Sequence, residues 1–450
     1  MPLRGRPFPL MMLLYQLLTA LAILVLAPYY AWRGWRRGEP WQTLRDRLGR
    51  VPEEVAAACA SGGTIWIHAV SVGEVLAAQP VVDGLKARYP DRPILISTTT
   101  ETGQKLARER ASAATAVFYF PLDSSRIVRR ALRAIRPAIV IVMETEIWPN
   151  FLREARSAGA AVVFANARIS KRSFVRYLRW KFLLEDFFVE TLSFGTLFLA
   201  QTKEDASRLI EMGASEDRIA VTGNLKYDAA PPDLKAFGAW LADQIKTQER
   251  WPVVVAGSVV EGEEEAVLAG YDAVQRRWRR ALIILAPRKP ARFAEAARMA
   301  AEAGWNVTRR SEIDLSQPLN ENTDVLVLDS IGELTAIYGL GDAVFVGGSL
   351  VRSGGHNILE PAWYGKAPVF GPSMENFALM AEQFLEANAG IQVTDGPHLG
   401  RVWVQLIEND GLRRRIGQAA RELSLRNTGA TTATLARITE ILDAQQGSNQ

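Results

Sequence analysis

From about residue 60 the chain alternates short apolar, β-branched runs with longer stretches whose apolar positions recur every three to four residues. TIWIHAV, PILISTT, AVFYFPLD, AIVIVMETE, AAVVFANA, LFLAQT and RIAVTGN are predicted strands. Between them, VLAAQPVVDGLKARY, TGQKLARERA, SRIVRRALRAIR and FLREARSA are predicted helices. A polar, helical connection over residues 226–250 follows, and the same grammar restarts. VVVAGS, ALIILAPR, DVLVLD, DAVFVGGS and APVFGP read as strands, with GEEEAVLAGYDAVQRRW and PARFAEAARMAAEAG as helices. Strands apolar throughout, alternating with helices, argue for parallel sheets covered on both faces. The expected fold class is therefore α/β, with two doubly wound domains over residues 39–230 and 231–450. Ligands of such sheets bind beyond the carboxyl ends of strands, so the loops there, facing a cleft between the domains, are where chemistry is expected.

Residues 1–38 break the pattern. From Leu10 to Ala27 no residue is charged, and an apolar stretch of about 18–20 residues is near the minimum that spans a bilayer. Tyr29, Tyr30, Trp32 and Trp35 suit the headgroup zone, and Arg33, Arg36 and Arg37 follow. Arg4 and Arg6 would suit a signal peptide, but YYAWRGWRR offers no small-residue cleavage site after the apolar core. The segment reads as an uncleaved membrane-anchor helix, a helix lying in the interface being the other option. By the positive-inside rule the three arginines place the body on the cytoplasmic face.

The 450 residues and 48% hydrophobic content suffice for two cores. A net charge of +4 is too slight to announce nucleic acid. The single cysteine, Cys59, excludes an intrachain disulfide and a cysteine-based zinc cluster, and with three scattered histidines no metal site is expected.

Three loops carry candidate chemistry. In HAVSVGE, Gly73 would allow a tight turn and Glu74 would occupy the first turn of a helix, where the helix dipole favours an ionised carboxylate able to take a proton from a hydroxyl. Acidic residues are also common there for stability alone. In METEIWPN, Glu144 and Glu146 end a buried strand, and alternation puts both on one face, with Thr145 opposite. They could cap the strand end, or bind hydroxyls and share a proton. In DAVFVGGSLVRSGGHNILEPAWYG, Gly347, Gly348, Gly354 and Gly355 bracket a loop before a helix expected near Asn357; free amides and a helix start would suit a phosphate. Asn357 and Glu360 have capping-box spacing, the structural alternative to a sugar-binding Glu360. The loop is neither a dinucleotide fingerprint nor a P-loop. Supporting loops place Gly257 and Ser258, then Arg288, then Ile331, Gly332 and Glu333 after strands of the second domain. Finally, ARISKRSFVRYLRWKFLLEDFF mixes Lys171, Arg172, Arg176, Arg179 and Lys181 with Phe174, Tyr177, Trp180 and Phe182, as segments settling on anionic membranes do. An amphipathic helix with its rings packed inward is the plainer account.

HAVSVGE, METEIWPN, ANARIS, TGNLKYD, GSVVEGEE, PRKP and GGSLVRSGGHNILEP, in this order over nearly the whole chain, resemble the 3-deoxy-D-manno-octulosonic acid (Kdo) transferases of lipid A biosynthesis. The resemblance implies a GT-B fold of two Rossmann-like domains, and inverting transfer of Kdo from CMP-Kdo to the tetraacyldisaccharide 1,4'-bisphosphate lipid IVA. It implies no metal, no other cofactor and no nucleic-acid partner, with the enzyme on the anionic surface of the inner membrane. Carried onto matching positions, Glu74 resembles the general base, and Glu144 and Lys226 residues that assist the transition state. Ser258, Pro287, Arg288, Ile331, Gly332, Glu333, Gly348, Ser349, Gly355, His356, Asn357, Ile358, Leu359 and Glu360 resemble the donor pocket. Lys171, Arg172, Arg176, Arg179 and Trp180 would face the acceptor and membrane. The family commonly has His after the Pro-Arg pair; here it is Lys289, which puts one donor contact in doubt. A transferase using a UDP-sugar and another lipid acceptor, and a non-catalytic glycolipid-binding scaffold, are the alternatives. Release of CMP rather than UDP separates the first, and a nucleotide pocket the second.

Overall fold

Every residue of TIWIH and of ILIST is buried, as expected of strands covered on both faces. The computed structural model describes residues 10–37, 41–111, 113–228 and 231–447, with side chains described for 10–25 and from Thr43 onward. The chain divides into two compact units, Met1–Ala229 with Asn427–Gln450, and Ala230–Arg426.

In the first unit, β1 (Thr64–His68), β2 (Ile94–Thr98), β3 (Ala116–Tyr119), β4 (Pro137–Met143), β5 (Ala161–Ala167), β6 (Leu197–Ala200) and β7 (Ile219–Val221) form one parallel sheet in the order β3-β2-β1-β4-β5-β6-β7. Alternation divides the core. Trp66, Val140, Val142 and Phe164 pack on one face with Phe118, Phe151 and Leu152, whereas Ile65, Ile67, Ile139 and Ile141 meet Val75, Val81, Val82 and Leu85 of the helix Val72–Arg88 on the other.

The second domain, expected to reach residue 450, ends at Arg426: the last helix, Ala430–Gly447, packs into the first unit. Ile438 and Leu442 are fully buried there, each contributing about 2 kcal/mol of apolar burial. Its approach is close: a Cβ on Gly84 would lie 2.3 Å from Leu435 Cδ1, so a side chain there would displace the Leu435 tip. The Tyr89 hydroxyl donates to Asp443 at 2.7 Å, and Asp228 accepts from the Gly429 amide at 2.7 Å.

In the second unit, β8 (Val253–Val259), β9 (Leu282–Pro287), β10 (Val307–Arg309), β11 (Val325–Val327), β12 (Ala343–Val346), β13 (Val369–Phe370) and β14 (Ile391–Gln392) form a parallel sheet in the order β10-β11-β9-β8-β12-β13-β14. Strands β10 and β14, at the two edges of the sheet and only partly buried, carry no apolar run and so escape the sequence pattern, unlike the equally short but buried β11 and β13.

The N-terminal segment forms the helix Leu10–Arg37, and its first turns dock on the first unit. Met12 is fully buried, the Tyr15 hydroxyl donates to Asp123 Oδ2 at 2.6 Å, and the Tyr15 ring lies 5.9 Å from Phe187. Leu10, Leu13, Leu14, Leu17, Leu18, Leu21, Leu24 and Val25 remain exposed on the other side. Among the described residues no helix is long and apolar enough to cross a membrane, so the structure does not bear out a separate spanning anchor. Arg4, Arg6 and Gly38 lie outside the described residues, as do the side chains of the aromatic and arginine residues from Tyr29 to Arg37.

Candidate active site

The strand order switches direction between β1 and β4 in the first unit and between β8 and β12 in the second, where β11 also inserts between β9 and β10. Such switch points open a crevice at the carboxyl ends of the strands. The three main candidate loops and the Ser258 loop leave from these four strands, and the Arg288 and Ile331–Glu333 loops leave from β9 and β11 of the same sheet.

After β1, Ser71 caps the helix Val72–Arg88 and makes the turn, its side chain accepting from the Glu74 amide. Gly73 lies inside the first helical turn and is not the turning residue expected. Glu74 is 7% exposed and folds back, so that Oε2 accepts from the Val70 amide and Oε1 from the Ser71 hydroxyl, both at 2.8 Å. The expectation of a readily ionised carboxylate fails. Burial first, then the charge of Glu144, push the Glu74 carboxyl up to about 7 against the pull of these two donors. His68 is a core residue: it is fully buried, stacks on Phe120 at 3.8 Å, and approaches Ser97 O and Oγ through Nδ1. Burial pushes its imidazole down to about 3, so it remains neutral at physiological pH.

After β4 the expected geometry changes. The strand ends at Met143 and Glu144 takes φ 53°, a left-handed conformation costing a non-glycine residue roughly 1 kcal/mol or more. The period-two argument that placed Glu144 and Glu146 on one face does not survive this turn. Glu144 instead forms an ion pair with Lys226, Oε1 to Nζ 2.8 Å, joining two residues 82 positions apart. Burial and Glu144 push the Glu146 carboxyl up. Asp123, which sequence reasoning missed, accepts from the Asn150 and Phe151 amides at 3.2 and 2.7 Å as well as from Tyr15. It thus caps the helix Pro149–Ser157 that closes the METEIWPN loop, while holding the N-terminal helix. No local signal in PLDSS marks it.

In the second unit, Arg288 follows β9 with its amide bonded to Val259 O at 2.8 Å, and its charge acts on His356, Glu360 and Tyr338. Burial, then Arg288, push His356 down to about 4, and its Nε2 is buried without a hydrogen-bond partner. Glu360 accepts from the Thr335 hydroxyl at 3.0 Å, and its carboxyl is pushed up by burial. The Asn357 side chain accepts from the Leu359 amide at 3.2 Å, so the capping box between Asn357 and Glu360 is not formed. The helix expected near Asn357 begins at Leu359 and runs five residues, too short to supply the expected dipole. Gly332 takes φ 84° beside exposed Ile331, and Glu333 binds Ser330 and Arg310.

Other expected donor residues are packed or bonded within the loops. Ser349 is fully buried, its hydroxyl donating to Val346 O at 2.6 Å and accepting from the Gly371 amide at 2.8 Å. Ile358 and Leu359 are fully buried, and Pro287 is buried at the end of β9. Gly355, φ 74°, donates its amide to Gly348 O at 2.7 Å, and Ser258 takes φ 54°. The glycine-rich loop is not an empty anion cradle: the carboxylate of Glu263, absent from the sequence-derived site, occupies the amides of Gly348, Ser349 and Leu350.

The helix Lys171–Ser193 presents its rings both ways. Tyr177 is 4% exposed and donates to Glu211 O at 3.2 Å, whereas Trp180 and Phe182 are exposed, beside exposed Lys171, Arg172, Arg176 and Arg179. The inward-packing account covers only part of the helix. Among the described residues no group of three or more His, Cys, Asp or Glu could hold a metal ion.

Two parallel-sheet α/β domains with candidate residues at the ends of their strands resemble the GT-B class of glycosyltransferase folds. A solved UDP-N-acetylglucosamine 2-epimerase superposes with a TM-score of 0.59 at 15% identity, covering 86% of this chain and 97% of its own. A glycosyltransferase from Rickettsia africae superposes at 0.51 with 12% identity, covering 85% and 98%; both likenesses concern the fold alone. The family profile of 3-deoxy-D-manno-octulosonic-acid transferase matches residues 42–229. The 3-deoxy-D-manno-octulosonic acid transferases of Haemophilus influenzae and Bordetella pertussis are each 34% identical, over 86% of this chain and 89% of the first, and 92% and 96% for the second. This chain belongs to the 3-deoxy-D-manno-octulosonic acid transferase family and is an enzyme of Kdo transfer.

Proposed function

We propose that the enzyme transfers Kdo from CMP-Kdo to lipid IVA in lipopolysaccharide assembly, with inversion, on the cytoplasmic face of the inner membrane. The observation that carries the mechanism is Glu74, a carboxyl pushed up to about 7 at the switch point of the first sheet, beside the Glu144–Lys226 pair. A general base works best when its pKa lies near the operating pH. Each Glu74 oxygen has one donor, and an ionised carboxylate offers about four acceptor sites, so capacity remains for an acceptor hydroxyl. In the step, Glu74 takes the hydroxyl proton, the oxygen bonds to the anomeric carbon, and the bond from that carbon to the CMP phosphate oxygen breaks, its electron pair leaving with CMP. Lys226 pairs with Glu144 and offsets negative charge near the reacting carboxylate. Arg288 meets the charge of the donor, with His356, Asn357 and Glu360 around it.

The exposed leucine face of the Leu10–Arg37 helix and the cations and rings of the Lys171–Ser193 helix would hold the enzyme to the anionic membrane, the first as an anchor docked along its own domain. Purified enzyme incubated with freshly generated CMP-Kdo and lipid IVA tests this. A product heavier by Kdo, with CMP released, is expected; UDP-sugar turnover instead would refute the donor. Recovery of the intact chain in washed inner membranes tests the attachment, and a shortened periplasmic form would refute it.

A further inference from the structure

We propose that Glu263 is a positioning residue of the donor site, an internal anion that locks the nucleotide loop in place of a bound phosphate. Its fully buried carboxylate accepts four backbone amides: Oε1 from Ser349 at 2.8 Å and Leu350 at 2.7 Å, Oε2 from Gly348 at 2.7 Å and Val260 at 3.0 Å. Four donors meet the acceptor capacity of a carboxylate. The contacts tie the loop after β8 to the loop after β12, the two strands that flank the switch point. The approach is tight, since a Cβ on Gly347 would lie 2.8 Å from Glu263 Oε2.

The lock reaches the expected donor residues. Gly348, held by Glu263, accepts the Gly355 amide through its carbonyl at 2.7 Å. A Cβ on Gly348 would lie 2.7 Å from His356 Cδ2, so the imidazole rests directly on the locked glycine. The segment from Gly355 to Glu360 therefore takes its position from a carboxylate whose four hydrogen bonds all go to backbone amides. A second anion on the same amides would face Glu263 at contact distance, so the charged groups of the donor must be read by Arg288 rather than by the glycine-rich loop. This role rests on the reading that CMP sits in this loop.

Hydrogen exchange on the wild-type enzyme with and without CMP, together with kinetics of Glu263→Gln, tests it. The Gln amide would turn donors toward amide donors and open the lock. Without ligand the Gly348, Ser349 and Leu350 amides should be protected at least about 100-fold, with CMP changing this less than about threefold. The variant should raise the KM for CMP-Kdo about tenfold or more while kcat stays within about threefold; Glu264→Gln, which loosens the neighbouring buried pair with Arg292, should leave that KM within about twofold. A folded Glu263→Gln enzyme with unchanged donor KM would overturn the role. So would a CMP-induced rise of tenfold or more in protection of those three amides, and this measurement decides alone should the variant fail to fold. Absence of any CMP-induced thermal shift would instead sink the donor reading, and the role with it, while unliganded protection would still report the lock.

Discussion

Two glutamates occupy comparable places in the two units, each buried beside a helix start at a sheet's switch point, yet their surroundings differ. Glu263 is saturated by four amides that belong to two loops. Glu74 has two donors, lies close enough to Glu144 and Glu146 to feel their charge, and has its carboxyl pushed up to about 7. Burial alone thus does not decide what a carboxylate does; the number of donors and the sign of the nearest charges do. A saturated carboxylate fixes structure, and an undersatisfied one among like charges is poised to exchange a proton.

Replacing Glu74 by Gln should break the contrast most. Transfer should fall about 1,000-fold with CMP binding retained, and the rise of kcat/KM with pH, about tenfold per unit below pH 7 and flat above it, should disappear. Near-normal turnover in Glu74→Gln would remove the base from this residue.

The same substitution should also show a stability crossover. Because the folded carboxyl titrates near 7 and the unfolded one near 4.5, the folded state binds more protons in that window, and its stability falls as pH rises through it. The penalty approaches about 3 kcal/mol above pH 7 and is absent below about pH 4.5. Glu74→Gln should therefore gain on the wild type in urea unfolding at pH 8 relative to pH 5; an unchanged difference would mean that Glu74 titrates normally.

Lys226→Met should reduce kcat about 10- to 100-fold and move the acidic limb of the pH profile upward, because the Glu144 charge near Glu74 loses its counterion. A limb that stays in place would separate Lys226 from the base. Arg288→Ala should mainly weaken donor binding, about tenfold in KM for CMP-Kdo; unchanged CMP affinity in calorimetry would remove Arg288 from the donor site.

Much of the fold was legible. All seven strands of the first sheet and five of the second stand out as apolar runs, since parallel strands buried on both faces must be apolar throughout. Glu74 was legible as a loop residue at a strand end, but not its raised pKa, which depends on burial and on a carboxylate 70 positions away. Gly348 marked a loop with free-looking amides: a glycine-rich run announces exposed donors, and only the tertiary fold brings Glu263 in to fill them. The Ser349 hydroxyl is likewise engaged by the backbone of Val346 and Gly371, which its place in the loop does not announce.

The sequence by itself determined most of the elements, their parallel class, the division near residue 230 and the loops at the strand ends, because periodicity and turn residues are local. Tertiary structure decided which glutamate is locked and which can titrate, that Lys226 meets Glu144, that the last helix returns to the first unit, and that Tyr15 ties the N-terminal helix to Asp123. Each of these turns on groups distant in the chain coming within a few ångströms, where burial and charge set their behaviour and no local pattern records the partner.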